Sequence, residues 1–273
     1  MYKNAKRLGI VIVIIFALIG FVLVSGYMAM RFKLTNTRGK IDTKSDNFAT
    51  PDQKTKTYTT FPLAHTPEWI AFRQAVAKDK VMLEKVSKET GVPARILVSI
   101  LVPEQMRLFH SQRPIFKKVF EPLKVLGSQS QFSWGLFGIK DETAKAVENH
   151  LVDKNSPFYL GPSFENALAF ASSTNIDEER FQRIIDEHNH LYSYRYAALY
   201  VAQIQSQWNK AGYPIKNNPA IIATLWNLGF SKSKPNADPK SGGAILDING
   251  VKYSFGALAE AFYYSDELVE VYP

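Results

Sequence analysis

The longest apolar stretch of the chain lies near its N-terminus, where Leu8 to Met30 form 23 consecutive residues without a charged side chain. About 20 apolar residues in a helix span the hydrocarbon core of a bilayer, so the pattern predicts a transmembrane helix, with residues 1–30 as a short stub and membrane anchor. A cleaved signal peptide is the alternative, but its apolar region usually has only about 7–15 residues. Basic residues flank the run on both sides, so the positive-inside rule gives no orientation.

Residues 31–60 are rich in Thr, Lys, Asn, Asp and Ser and have few apolar positions. Such a composition does not bury enough surface to fold alone, so we predict a flexible linker. The folded part, residues 61–273, opens with Thr66 as a helix cap and Pro67 at the first helical position, and Gly91 is expected to end this helix. Apolar residues recur within it at helical spacing, namely Trp69, Phe72, Val76, Leu83 and Val86.

Helical periodicity continues through most of the folded part. A helix opened by Pro93 carries an apolar run to Glu104, and the segment 106–132, with prolines and no clean period, is predicted to be irregular. Further helices are predicted at 141–151, 163–173, 177–191 (with His188 on its buried face), 193–211, 218–229 and 254–269. Alternating apolar residues around Asn249 and Gly250 predict a β-hairpin from 245 to 253. The predicted fold class is therefore mainly α, one domain with a small hairpin.

The net charge of +8 bears on the kind of partner. Residues 1–58 carry +7 of it, which leaves +1 for the rest of the chain. A nucleic-acid-binding fold is expected to carry its positive charge on the folded part, so we predict no nucleic-acid partner. The absence of cysteine excludes disulfides, thiolate catalysis and cysteine metal sites. His188 and His190 are two positions apart and do not share a helix face, so we predict no metal site and no cofactor.

Two stretches carry the candidate chemistry. Glu104 ends a core helix, and a carboxyl group held against apolar surface has its pKa raised, as a general acid near neutral pH requires. Gly135, 31 positions later, opens a glycine-punctuated turn in which backbone can approach a ligand, and Asp141 is expected to cap the helix after it. The candidates for substrate binding in and before this turn are Ser133, Trp134, Gly135, Leu136, Phe137 and Ile139.

A third segment, Ala223 to Gly229, completes a resemblance to a known family. The order of the helix ending in Glu104, the turn from Gly135 to Ile139 and this segment resembles the soluble lytic transglycosylase and goose-type lysozyme family. In that family a glutamate ends a helix, a Gly-Leu-Met-Gln-Ile turn follows, and an Ala-Tyr-Asn-x-Gly helix closes the cleft. The similarity covers about half of the chain.

The resemblance implies a lysozyme-like helical domain in which Glu104 is catalytic and Trp226 and Asn227 also bind substrate. The chain departs from the family pattern, because Gln105 replaces a serine, Gly138 a glutamine and Trp226 a tyrosine. The hydroxyl of that tyrosine contacts the catalytic carboxylate in the family, whereas an indole N–H can donate a hydrogen bond but cannot accept one. Orientation of the glutamate by Trp226 is therefore a separate expectation for this chain.

The implied reaction is cleavage of the β-1,4 bond between N-acetylmuramic acid and N-acetylglucosamine in peptidoglycan. Most glycosidases use two carboxylates, whereas here one glutamate would protonate the leaving oxygen, and the substrate's own 6-hydroxyl or a water would complete the reaction. The implied partners are glycan strands and, through residues 8–30, the cytoplasmic membrane of a bacterium, with the domain on its outer side. The alternative is a catalytically silent protein of this fold that binds glycan or scaffolds an envelope assembly.

Overall fold

The computed structural model describes residues 60–110, 135–171, 175–248 and 250–273, together with six isolated positions between 17 and 28. This described part is mainly helical, as predicted, with eight α-helices and two strands. The helices are α1 Pro67–Lys78, α2 Lys80–Thr90, α3 Ala94–His110, α4 Asp141–Val152, α5 Ile176–Ile185, α6 Leu191–Lys210, α7 Pro219–Leu228 and α8 Phe255–Tyr263. The strands are β1 Ile245–Ile248 and β2 Val251–Ser254, and short 3₁₀ helices lie at Pro162–Phe164 and Phe230–Lys232.

Three helices form the centre of the fold, because they are mostly apolar and are buried on every face over much of their length. All residues from Arg95 to Glu104 of α3 are buried, as are the first eight residues of both α7 and α8. A helix that is hydrophobic all round belongs in a core, and these three helices pack against one another. At the contact between α7 and α8, a Cβ added to Gly256 would lie 2.3 Å from Thr224 Oγ1. The glycine therefore permits the close approach of the two helices.

The remaining helices cover this centre. Helices of both groups begin at side-chain caps that the sequence contains. A cap oxygen accepts a hydrogen bond from a backbone N–H of the first turn, and the residues that do so here are Thr66, Asn175, Asn218 and Ser254. The predicted hairpin is confirmed: β1 and β2 pair antiparallel, with Ile248 opposite Val251, and Gly250 has the positive φ of 82° that its turn requires. Asn249 lies outside the described residues.

The buried guanidinium of Arg95, near the start of α3, holds the C-terminal segment to the central helices. It donates hydrogen bonds of 2.6–3.3 Å to five main-chain carbonyl oxygens, those of Phe262, Tyr263, Ser265, Glu267 and Tyr272. Burial lowers the pKa of Arg95, but arginine stays protonated near neutral pH. Main-chain carbonyl dipoles therefore stabilise a full positive charge inside the fold.

A second buried arginine, Arg180 of α5, joins three helices. Its guanidinium binds both carboxylate oxygens of Glu148 in α4, at 2.6 and 2.7 Å, and Tyr196 of α6 donates to the same carboxylate at 2.5 Å. Asp141 Oδ1 lies 3.5 Å from Arg180 Nη1 and extends this network. The prediction that Asp141 caps α4 was wrong, because Lys140 occupies the N-cap position and Asp141 is the first helical residue.

Two helix boundaries near the candidate site differ from the prediction. The helix expected from 66 to 90 breaks at Asp79, which ends α1 and precedes α2. The carboxylate of Asp79 accepts a hydrogen bond from Tyr194 of α6 and lies 2.7 Å from His190, the residue before α6. Gly91 ends α2 as predicted, with φ 74°. The helix expected to end at Glu104 continues to His110, through part of the segment predicted to be irregular, so Glu104 is an interior helical residue.

Three other predicted helices were wrong in whole or in part. Residues 163–171, the described part of the segment 163–173, form the end of a 3₁₀ helix and turns, with hydrogen bonds three residues apart such as Ala167 N to Phe164 O at 3.0 Å. The helix 177–191 ends at Ile185, since Asp186 accepts the backbone N–H groups of the next turn, and His188 is exposed. The last helix ends at Tyr263 instead of 269, where the carbonyls turn toward Arg95.

The predicted membrane anchor and linker, residues 8–30 and 31–60, lie almost entirely outside the described residues. Among the helices that the structure does describe, none has the length and apolar character needed to cross a membrane.

Replacement of Arg95 by methionine should lower the free energy of unfolding by at least about 3 kcal/mol, because each buried carbonyl left without a donor costs about 1–3 kcal/mol. Urea unfolding followed by circular dichroism measures the change. Arg73→Met is the matched control, since half of the Arg73 side chain is exposed. An Arg95→Met protein as stable as this control would contradict the structural role.

Candidate functional site

Glu104 lies in the second half of α3, with only 4% of its surface exposed. Arg107, on the next turn of the same helix, donates a hydrogen bond from Nη2 to Glu104 Oε1 and forms an ion pair with it. The neighbouring positive charge favours the ionised carboxylate, whereas burial favours the neutral acid. The two effects oppose each other, so the surroundings of Glu104 differ from the purely apolar setting expected from the sequence.

The turn after Gly135 contacts this part of α3. Gln105 Nε2, adjacent to Glu104 in the chain, donates a hydrogen bond to the carbonyl oxygen of Leu136. Gly135 has φ 64°, and a Cβ added there would lie 2.3 Å from the carbonyl oxygen of Ile184, so only glycine fits. Phe137 and Ile139 point into the core. The turn is therefore held by Gln105 of α3 on one side and packed against Ile184 of α5 on the other.

The third segment meets the turn through aromatic rings. Trp226 of α7 packs edge-on against Phe137, with ring centroids 5.5 Å apart, and against Tyr200 of α6 at 4.8 Å. Asn227 has a structural partner, because its Oδ1 accepts a hydrogen bond from Ala244 N at 2.8 Å. This bond ties the end of α7 to the loop that enters the hairpin, which agrees with a packing role for Asn227.

The structure thus brings Gln105, Leu136, Phe137 and Trp226 together around the second half of α3. Ser133 and Trp134, the two remaining candidates, lie outside the described residues. Two surface cavities of the described part, of about 350 and 540 Å³, lie elsewhere, beside α1 and at the connection from α5 to α6. Within the described ranges no three His, Asp or Glu side chains are placed to hold a metal ion.

A polar cluster that the sequence did not reveal supports the turn from the opposite side. Phe137 packs edge-on against Tyr194, with centroids 5.7 Å apart, and Tyr194 donates from its hydroxyl to Asp79 Oδ2 at 2.7 Å. His190 Nδ1 lies 2.7 Å from the same oxygen. The hydrogen bond to Asp79 raises the pKa of His190, and burial raises that of Tyr194.

The sequence did not predict this cluster, because Asp79 is 111 positions from His190 and 115 positions from Tyr194 in the chain. Arg107 was also missed, although its signal was present. A basic residue three positions after a helical glutamate lies on the same face and can pair with it.

Comparisons of the chain with protein families, with curated proteins and with solved structures found no match. A functional proposal for this chain therefore depends on the geometry of the site and on the resemblance of its three motifs.

The His190–Asp79 contact should make stability depend on pH. An unfolded histidine titrates near pH 6.5, and the folded pKa of His190 is higher, so the stabilisation is complete below about pH 6.5 and is lost as the pH rises through the folded pKa. Other groups facing His190 are Asp186 and Tyr194.

Free energies of unfolding measured from pH 5 to 9 test this expectation. The difference between the parent protein and His190→Gln should decrease above about pH 6.5, since glutamine does not titrate. His188→Gln, which changes an exposed histidine two positions away, should leave the pH dependence as in the parent. The same profile in the His190 variant and the parent would show that the contact does not titrate in this range.

Proposed function

We propose that the chain is a peptidoglycan-cleaving glycosidase of the lytic transglycosylase or lysozyme type, with a lysozyme-like fold and Glu104 as its catalytic acid. The observation that carries the proposal is the contact among the three motifs. Gln105, next to Glu104, binds the turn at Leu136, and Phe137 of the turn packs against Trp226. Motifs far apart in the sequence, in the order of the family, therefore contact one another beside the helix that carries Glu104.

In the proposed reaction, Glu104 donates a proton to the glycosidic oxygen between N-acetylmuramic acid and N-acetylglucosamine. The resulting carboxylate then accepts a proton from the attacking hydroxyl, which is either the 6-hydroxyl of the muramic residue or a water molecule. The first route gives an anhydro sugar and the second gives a hydrolysed end. One carboxyl group can serve both steps because it is returned to its protonated form.

The turn from Gly135 to Ile139 would contribute backbone groups to the bound glycan. Its position is fixed by Gln105 on one side and by the packing of Phe137 on the other. Ser133 and Trp134, directly before the turn, are proposed to extend the binding surface. Trp226 would act through Phe137, whose ring it contacts.

A catalytically silent protein of this fold is the second candidate function, and a specific observation favours it. A general acid must be protonated before the reaction, whereas the ion pair with Arg107 favours the ionised form of Glu104. If Arg107 never leaves Glu104, the domain would bind glycan or scaffold an envelope assembly without cleaving.

The proposed substrate, peptidoglycan, implies a membrane topology for the chain, because the domain must lie on the side of the membrane where the cell wall is. The N-terminus would be cytoplasmic, residues 8–30 would cross the cytoplasmic membrane of a bacterium, and the linker 31–60 would carry the domain outside, in contact with the cell wall. Reporters fused after Pro273 test this topology. An alkaline phosphatase fusion, which is active only outside the cytoplasm, should be active; activity of a cytoplasm-dependent reporter at the same position would reject the arrangement.

Glu104→Gln should reduce cleavage by at least ~10²–10⁴-fold, because glutamine keeps the size of the side chain but has no transferable proton. Mass spectrometry of digested purified peptidoglycan measures the loss and also distinguishes anhydro from hydrolysed products, which differ by one water. The matched control is Glu142→Gln, which alters an exposed carboxyl group in the first turn of α4.

Full cleavage by a folded Glu104→Gln protein would reject the catalytic assignment. Thermal melting of each variant separates loss of chemistry from loss of the fold. Glycan binding without any cleavage by the parent protein would favour the silent candidate.

A further inference from the structure

Arg107 is a charged side chain in direct contact with Glu104, the residue proposed to carry the chemistry. It follows Glu104 by three residues on α3 and contacts one carboxylate oxygen, Oε1, through one guanidinium nitrogen, Nη2. The side chain of Glu104 is 5% exposed, and that of Arg107 is 26% exposed. The guanidinium therefore lies between a buried acid and the solvent.

The contact uses only part of the hydrogen-bonding capacity of the guanidinium. Arginine has five N–H donors in a fixed fork that matches both oxygens of a carboxylate. Two other arginines of this chain use that fork, because Arg180 binds both oxygens of Glu148, and Arg195 binds both oxygens of Glu89. Arg107 Nε, by contrast, is buried and finds no hydrogen-bond partner among the described residues.

The elements packed against α3 differ in the charges that they carry. Helices α1, α2 and α6 have several charged side chains, and three of their cations are paired with other carboxylates: Arg73 with Glu270, Lys80 with Glu84 and Arg195 with Glu89. The sequence of α7 and the turn from 135 to 139 contain no ionisable side chain. Two acidic residues come from α8 and β1, namely Glu260, which is buried, and Asp247, which is exposed and bound to Gly250 N. Asp79, directly before α2, has its carboxylate oxygen Oδ2 2.7 Å from His190 Nδ1. Among the residues that the structure describes, Arg107 is a cation in direct contact with Glu104 and can neutralise its carboxylate.

We propose that Arg107 is a positioning residue that keeps Glu104 ionised and covered in the free protein, and that a carboxylate group on the glycan draws the guanidinium away. Glu104 then takes up a proton from solvent and becomes the acid that the reaction needs. This proposal rests on the proposed function, and it specifies the substrate class further: glycans that carry a carboxylate close to the cleaved bond.

The exchange is balanced in charge and in protons. The guanidinium remains protonated and changes partners, from the carboxylate of Glu104 to that of the glycan. The glycan carboxylate stays ionised, and one proton moves from solvent to Glu104. A neutral glycan offers no partner to Arg107, so it would bind without releasing the acid.

Titration of the Glu104 carboxyl group tests the first half of the proposal without any need for cleavage. The full chain, labelled in its glutamate carboxyl carbons and held in detergent micelles, is followed by NMR, and the Glu104 signal is identified by its loss in Glu104→Gln. We expect Arg107→Gln to raise the titration midpoint of Glu104 by about 1–3 pH units, because an opposite charge within a few ångströms is removed.

Two further variants control this measurement. Lys240→Gln removes the same charge from a pair in which both side chains are 80% exposed, and it should leave the midpoint as in the parent. Arg107→Lys keeps the charge and should hold the midpoint near that of the parent even if Arg107→Gln does not fold. A midpoint unchanged in Arg107→Gln, or raised fully in Arg107→Lys, would overturn the proposal.

Two disaccharides test the exchange of partners. The probe is N-acetylglucosaminyl-N-acetylmuramic acid, which has a free carboxylate, and the control is chitobiose, which is neutral. The probe should raise the Glu104 midpoint in the parent, chitobiose should not, and neither should do so in Arg107→Gln. Equal effects of the two sugars would overturn the proposed substrate class.

Cleavage assays separate this proposal from the proposed function. If the parent cleaves peptidoglycan, its pH profile should extend to higher pH in Arg107→Gln, with the shift seen by NMR. If no variant cleaves at any pH while both NMR results hold, Arg107 controls Glu104 but the glycosidase assignment fails. A parent and Arg107→Gln with the same pH profile would reject the role of Arg107 even when cleavage is normal.

Discussion

The hydrogen bonds from Arg95 to five carbonyl oxygens fix the C-terminal segment on the start of α3. An ionised side chain inside a protein is costly unless hydrogen bonds replace those it made with water, and the carbonyls provide that replacement. They also bend the chain after α8, where Leu268 is held at φ 59°, a conformation rarely adopted outside glycine. Trp69 of α1 then donates to Glu267 at 2.9 Å, so one buried charge links three parts of the core.

The hydrogen bonds of Arg95 affect the candidate site because Arg95 and Glu104 lie on the same helix, α3. The helix is fixed by Arg95 at its start and by close packing of α7 and α8 along its length, where Gly256 lets the two helices approach. Because α7 cannot shift relative to α3, Trp226 has a set position for Phe137 to pack against. The turn that Phe137 belongs to is thereby placed beside Gln105. A site assembled from three separate segments needs this kind of rigid support.

The sequence predicted elements where local signals were strong. Asn218 and Pro219 marked the start of α7, and Asn249 and Gly250 marked the hairpin, because caps and tight turns depend on neighbouring residues only. The helix predicted at 163–173 failed because apolar residues such as Leu168 are buried by a series of turns as well as by a helix. Arg95 could not be recognised, since main-chain carbonyls about 170 positions away leave no side-chain signature. The proximity of the turn and Trp226 was expected only from the family resemblance.

Stability alone is a weak reason for an ion pair between a buried glutamate, Glu104, and a partly exposed arginine, Arg107. Replacing a buried ion pair with apolar side chains is often neutral or stabilising. Apolar side chains are already the rule in this helix, because all residues from Ile96 to Leu101 except Ser99 are apolar. The pair of Arg180 and Glu148 is different, because it is bidentate and receives a further bond from Tyr196, so it ties three helices together. The contact of Arg107 with Glu104, by contrast, is to one oxygen and lies within a single helix. Breaking this contact would leave a buried charge on Glu104 unless the carboxylate takes up a proton, so the proposed change of partner by the guanidinium is coupled to protonation of Glu104.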